Sequence, residues 1–362
     1  MKKKATQPVR QRAAVLVLAA ALFLGGGCRE SRKSTHAGQS EARQAIDTPQ
    51  GMIEHLQSKH LPALNVVAHW PNQYGPGLVI TTDHYEIYTT LLDPLMLSQL
   101  PGFMESAYRG YQEQLPQPVA STSRSRVFLF ATRQQWEEHT RNFVGSKLAP
   151  VYLQITKGAY YLNGDCVAYN IGRKRTFSVM GHEGWHQFNS RHFAYRLPSW
   201  LDEGIAMLFE TSVYEKGWFN FEPSRNLGRL GSLRQTLQQG SMIPLRQLIT
   251  LNPAQVISST EAVTAFYAQS YALVRFLREE DYGKRLPKFH QMLLGGLQGT
   301  WPLGEQERKI AADRNIQLTA NWNHYVATKL FDTYIEAGSE AGELEAEYVR
   351  FCRKIVYRVR LK

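Results

Sequence analysis

Cysteine is scarce: Cys28, Cys166 and Cys352 are the three in a chain of 362 residues, and no two of them stand as CxxC. That excludes a disulfide-dense scaffold and a cysteine zinc site. The longest apolar run, Ala13 to Leu24, has 12 residues, whereas a bilayer-spanning helix needs about 20. No GxSxG marks a serine nucleophile on a strand-to-helix turn, and no internal repeat points to a solenoid. Acidic residues are outnumbered, 31 against 42 Lys and Arg, for a formal charge of +11. Five of those cations (Lys2, Lys3, Lys4, Arg10, Arg12) precede residue 28 with no acid among them, so the rest of the chain carries only +6. Its cations are scattered and do not gather on an aromatic-studded face, which argues against nucleic acid as a partner. What is present is ordinary globular composition, 43% hydrophobic and 20% charged, enough to bury a sizeable core.

The cationic start, the short apolar run and the small residues before Cys28 read as a secretory signal over residues 1–27. The stretch LFLGGGC resembles a bacterial lipobox, with Leu24 one place earlier than the usual leucine. On that resemblance Cys28 is lipidated, and the expected location is the cell envelope or periplasm, with the membrane reached through the lipid anchor. Residues 28–50 hold almost no large apolar groups and are expected to be a disordered tether. The two remaining cysteines, Cys166 and Cys352, form one disulfide or stay as buried thiols, and sequence separation does not decide between these.

From residue 51 the pattern changes. LVITTDHYEIYTT and RVFLFAT read as strands, LDPLMLSQLPGFMESAYRGYQEQL and RQQWEEHTRNF as helices. In GAYYLNGDCVAYNIG, Asn163 and Gly164 fall between two strand-like runs, the chemistry of a two-residue hairpin turn. These assignments predict an α/β module over residues 51–175, a helical catalytic region over 176–300 and a helical remainder over 301–362.

The chemistry concentrates in MGHEGWHQF. On a helix His182 and His186 lie one turn apart on one face, so both imidazoles point at a common ion. Glu183 sits about 100° around and reaches toward bound water. This is HExxH, in which two histidines hold zinc and the glutamate is the general base. A histidine pair that merely packs needs no third ligand, whereas a catalytic zinc usually has three from the protein. LPSWLDEGIAMLFE offers one in Glu203. Pro198 breaks the preceding structure, Ser199 with Asp202 three residues on reads as a capping box, and a helix starting at Trp200 puts Glu203 in its first turn. Gly181 and Gly184 inside the helix, each costing roughly 1 kcal/mol against alanine, imply a close approach to that backbone by substrate or by a packed sheet. His84, His139, His192, His290 and His324 have no ligand spacing around them and are expected to be surface or packing residues.

HEGWH followed by WLDEGIA resembles the gluzincin zinc metallopeptidases, specifically little-characterised bacterial families with WLxEGxA after the motif; YAQSYALVRFL is also similar to a helix of those families. The resemblance implies an α+β fold in which an N-terminal mixed sheet with helices precedes a mostly helical C-terminal part carrying the zinc site. It implies a peptide or protein substrate lined up on an edge strand, here placed within Gly158–Gly172. It also implies a tyrosine that stabilises the oxyanion: Tyr267 by its position in the motif, with Tyr271 one turn on as the other candidate. The expected activity is hydrolysis of peptide bonds in envelope or extracellular proteins by zinc and Glu183. A zinc-binding lipoprotein without turnover and a hydrolase of a non-peptide amide remain as alternatives.

Overall fold

The computed structural model describes residues 47–121, 123–156, 158–314, 320–336 and 342–357. The expected signal segment 1–27, Cys28 and all but the last four residues of the expected tether lie outside the described residues. Those four already show structure: Thr48 accepts from the Gly51 amide and caps helix α1 (Pro49–Ser58), with proline in its first turn where no N–H is missed.

A six-stranded mixed sheet follows, in the order β1-β2-β3-β4-β6-β5. Its strands are β1 (Val66–His69), β2 (Leu78–Thr81), β3 (Tyr85–Thr89), β4 (Ser125–Phe130), β5 (Ala159–Leu162) and β6 (Asp165–Tyr169). The first three form an antiparallel meander; β3, β4 and β6 run parallel, joined through the crossover helices α2 (Pro94–Gln112) and α3 (Arg133–Val144). The stretch LVITTDHYEIYTT is therefore two strands with a turn. Asp93 caps α2, and Thr132 with Gln135 forms a full capping box on α3. Asn163 (φ +52°) and Gly164 (φ +93°) make the hairpin turn between β5 and β6.

Strand alternation divides the interior. Phe130, Val167 and Tyr169 join Trp136 of α3 in an aromatic cluster on one face. Val127, Leu129, Cys166 and Ala168 face the other way, into a larger cluster that runs from Met52 to Val356. That second face receives α4 (Arg173–His192), the motif helix. Gln187 of α4 donates to the backbone carbonyls of Arg126 and Gly164, at 2.8 and 2.7 Å, which ties the helix to β4 and to the hairpin.

Beyond α4 come α5 (Ser199–Ala206), a 3-10 turn at Met207–Phe209, the hairpin β7 (Ser212–Glu215) and β8 (Trp218–Phe221), then α6 (Leu227–Gln238) and α7 (Thr260–Glu279). The helices α8 (Leu286–Gln298), α9 (Glu305–Ala312), α10 (Ala320–Leu330) and α11 (Glu343–Tyr357) complete the mostly helical C-terminal part. The α+β architecture expected from sequence is thus present, sheet first and helices after. Cys166 on β6 and Cys352 on α11 are both buried and unpaired. No helix among the described residues is long and apolar enough to cross a membrane.

Candidate metal centre

The motif helix is held against its surroundings at two glycines. A Cβ on Gly184 would collide with the Tyr111 hydroxyl, and one on Gly181 with the Phe209 carbonyl. Tyr111 fills the gap by donating to the Gly181 carbonyl at 2.7 Å. The close approach predicted for this helix is real, but its partners are α2 and the 3-10 turn, not the sheet and not a ligand.

On the opposite face of these contacts, His182 and His186 come together with Glu203 of α5, and one ligand atom from each lies within 4.8 Å of the others. Glu203 is 1% exposed and His182 5%. His182 Nε2 stands 3.3 Å from Glu203 Oε2, and His186 Nε2 3.9 Å from it. Neither contact meets hydrogen-bond geometry: both Nε2 atoms and both oxygens of Glu203 are buried without a hydrogen-bond partner. Four orphaned polar atoms in one buried spot would cost several kcal/mol if nothing joined them. A dication that accepts nitrogen and carboxylate ligands satisfies all of them, so the residues present fit zinc.

The outward nitrogens are occupied. His182 Nδ1 is 3.1 Å from Glu210 Oε1, and His186 Nδ1 is 3.1 Å from Asp202 Oδ1. With a metal at the centre, carboxylates at Nδ1 would hold the proton there and leave Nε2 free to face the ion. Burial alone would push both imidazoles down. For His182 the carboxylates of Glu203 and Glu210 outweigh it and hold the ring up to about 10; for His186, Asp202 with Glu203 holds it up to about 9. Burial pushes the Glu210 carboxyl up, yet Arg229 and His182 bring it down to about 2.

Two local expectations are corrected. Helix α5 begins at Ser199, not Trp200, with Pro198 at its cap position and no side-chain cap bond. Asp202 does not close a capping box: it accepts from Trp185 Nε1 and Asn189 Nδ2, each at 2.9 Å, besides His186. The acid in the first turn of α5 is therefore Asp202, and Glu203 lies one residue beyond it. The dipole of this eight-residue helix then bears on Asp202 first.

Glu183 is 7% exposed. Burial raises its carboxyl above the ordinary range, against the pull of His186, His182 and the Tyr161 backbone amide. Tyr161 belongs to β5, the terminal strand of the sheet. The Tyr169 amide donates to the Gly158 carbonyl at 2.8 Å, and from there the register alternates. Residues 158, 160 and 162 therefore bond to β6, while the N–H and C=O of Ala159 and Tyr161 point off the sheet edge. The edge expected within Gly158–Gly172 is β5, and it runs beside Glu183.

The two tyrosines one turn apart on α7 differ. The Tyr271 hydroxyl donates to the Pro223 carbonyl and accepts from Arg275 Nη1 at 3.1 Å. Tyr267 is 3% exposed, with the Arg229 guanidinium 5.5 Å from its ring centroid. Burial and then the charge of Glu203 keep its phenol well above its ordinary range, so it stays a neutral O–H. The other histidines are packing residues or surface groups; His84, for example, pairs with Glu105 at 2.7 Å.

Sequence reasoning missed Glu210, Arg229 and Asn226. One signal was available: Glu210 is an acid ending the apolar run GIAMLF, seven residues after Glu203, which on a continuing helix is the same face. A cavity of about 690 Å³ lined by Arg109, Trp218 and Arg278 includes none of the cluster residues, so concavity alone would not have led to this centre.

Residues 176–292 match a family described as a protein of unknown function (DUF1570), a span that contains His182, Glu183, His186, Glu203, Glu210, Arg229 and Tyr267. Nothing among the curated proteins or the solved structures matches the chain.

Proposed function

We propose that the chain is a zinc metallopeptidase of gluzincin type, exported and anchored at Cys28, that hydrolyses peptide bonds of envelope or extracellular proteins. The observation that carries this reading is the convergence of four buried, unpartnered ligand atoms from His182, His186 and Glu203 beside an acid that is not needed to bind metal. Zinc held by the three would supply a Lewis acid that polarises a carbonyl and makes water a better nucleophile.

The chain's own groups then divide the work. Glu183, its carboxyl raised by burial, takes the proton of the attacking water and passes it to the leaving amine. The outward N–H and C=O of Ala159 and the outward C=O of Tyr161 offer an extended peptide a strand to pair with, while the Tyr161 N–H is directed at Glu183. Tyr267, kept as a neutral O–H, is the donor for the oxyanion; the Tyr271 hydroxyl is engaged by Pro223 and Arg275.

The depth of the cluster favours a second reading, a zinc-binding envelope protein without turnover. The test is zinc content together with cleavage of an unstructured protein substrate, for the wild type and for Glu183→Gln. The peptidase reading expects about one zinc per chain in both and cleavage only in the wild type. Cleavage retained in Glu183→Gln would sink the mechanism. Zinc without cleavage in either would establish the second reading.

A further inference from the structure

Arg229 occupies a place that helix stability does not explain. It is the third residue of α6, where the helix dipole disfavours a cation, and it is 7% exposed. It forms a two-pronged ion pair with Glu210, Nε to Oε2 at 2.8 Å and Nη2 to Oε1 at 2.5 Å. Burying such a pair is commonly no gain in stability over apolar residues of similar size. Something other than stability is served.

The Glu210 carboxylate has four donors around it. Oε1 faces His182 Nδ1 and Arg229 Nη2, and Oε2 accepts from Arg229 Nε and from Asn226 Nδ2 at 2.8 Å. Asn226 also caps α6 by accepting from the Arg229 amide, so the cap and the clamp are one unit. A glutamate free to turn about its side-chain bonds would present His182 with a moving acceptor; this one is fixed at both oxygens. His186 is served differently. Its partner Asp202 adjoins Glu203 and is held by neutral donors of the motif helix itself, Trp185 and Asn189.

The geometry points to Arg229 as a positioning residue for the metal centre: by locking Glu210 it fixes the His182 proton on Nδ1 and keeps Nε2 aimed at the ion. This rests on the proposed metal site but not on peptidase activity. The role is indirect, since Arg229 touches none of the atoms that face the ion. Arginine is required in it, because only a planar fork meets both carboxylate oxygens at once.

The experiment measures Zn²⁺ affinity of the full chain by competition with a chromophoric chelator, and the visible spectrum of the Co²⁺ form. Arg229→Met is expected to weaken Zn²⁺ binding by about 10- to 100-fold, the usual cost of losing an outer partner, and to shift the Co²⁺ bands. Arg229→Lys should recover only part of the loss. Arg275→Met serves as control: it removes another buried arginine, paired with Glu279, and should lower stability while leaving Zn²⁺ affinity unchanged. Should Arg229→Met fail to fold because Glu210 is stranded, the double variant Glu210→Gln, Arg229→Met leaves no unpaired charge and should show the same loss. Wild-type affinity and spectrum in a folded variant, or an equal loss in Arg275→Met, would overturn the role. Failure of the wild type to bind Zn²⁺ at all would instead remove the site on which it rests.

Discussion

Two buried histidines, one in each half of the molecule, are treated in opposite ways. His139 on α3 is 8% exposed among Phe128, Phe130 and Phe143, with ring centroids 4.8 to 5.5 Å away. Burial pushes it down to about 4. His182 on α4 is 5% exposed, yet Glu203 and Glu210 hold it up to about 10. Equal depth gives a neutral ring in an aromatic cage and a cationic one among carboxylates. Burial sets the size of the stakes, and the neighbours set the sign. The sheet half uses its histidine as a flat apolar filler; the helical half surrounds its histidine with carboxylates that favour positive charge at the centre.

The comparison breaks first at the carboxylates. Glu203→Ala is expected to take zinc from about one per chain to a small fraction, measured by elemental mass spectrometry, because two histidines alone make an incomplete set. His139→Ala should leave the zinc content as it was.

Acid sharpens the contrast. With a folded value near 4 against 6.5, the unfolded state binds more protons in this window, so His139 costs stability as pH falls through it, by about 3 kcal/mol once pH 4 is reached. His139→Phe should remove that part of the loss, seen as a smaller drop in urea midpoint between pH 6.5 and 4 than in the wild type. In the metal-free protein His182 runs the other way. Its raised value contributes stability that is fully present below pH 6.5 and is lost as pH rises through about 10. A metal-free wild type whose stability does not fall toward pH 10, beyond what His182→Gln shows, would contradict the carboxylate cage.

The smallest effect lies at the one polar partner of the neutral ring. His139 Nδ1 faces the Tyr74 hydroxyl at 3.2 Å. Tyr74→Phe strands that nitrogen and should cost about 1 kcal/mol at neutral pH, measured by urea denaturation.

How far these features could be read from sequence follows from their range. His182 and His186 are one helical turn apart, so spacing alone placed them on a face, and the need for a third ligand singled out Glu203 in WLDEGIA. The hairpin was legible because Asn163 and Gly164 favour the turn wherever they occur. Asp202 was misread because a capping box is a local rule, and here tertiary partners, Trp185, Asn189 and His186, outcompeted the cap. Glu210 carried only its spacing from Glu203, and Arg229 was illegible for a related reason. Glu210 lies 28 residues from His182 and Arg229 lies 19 from Glu210, and no period links Arg229 to partners it meets only after α6 folds back.

The packing at Gly184 and Trp185 bears on how this motif can be rewritten. HExxH as a pattern leaves its two inner letters free. Here the first has no room for a Cβ beside the Tyr111 hydroxyl, and the second is a fully buried indole whose N–H holds Asp202. A library randomising those two codons would return little but the parent. On the proposed reading, diversity meant to change what the protein accepts belongs at Tyr161, the β5 position that is not buried; Ala159, Tyr160 and Leu162 pack in the core.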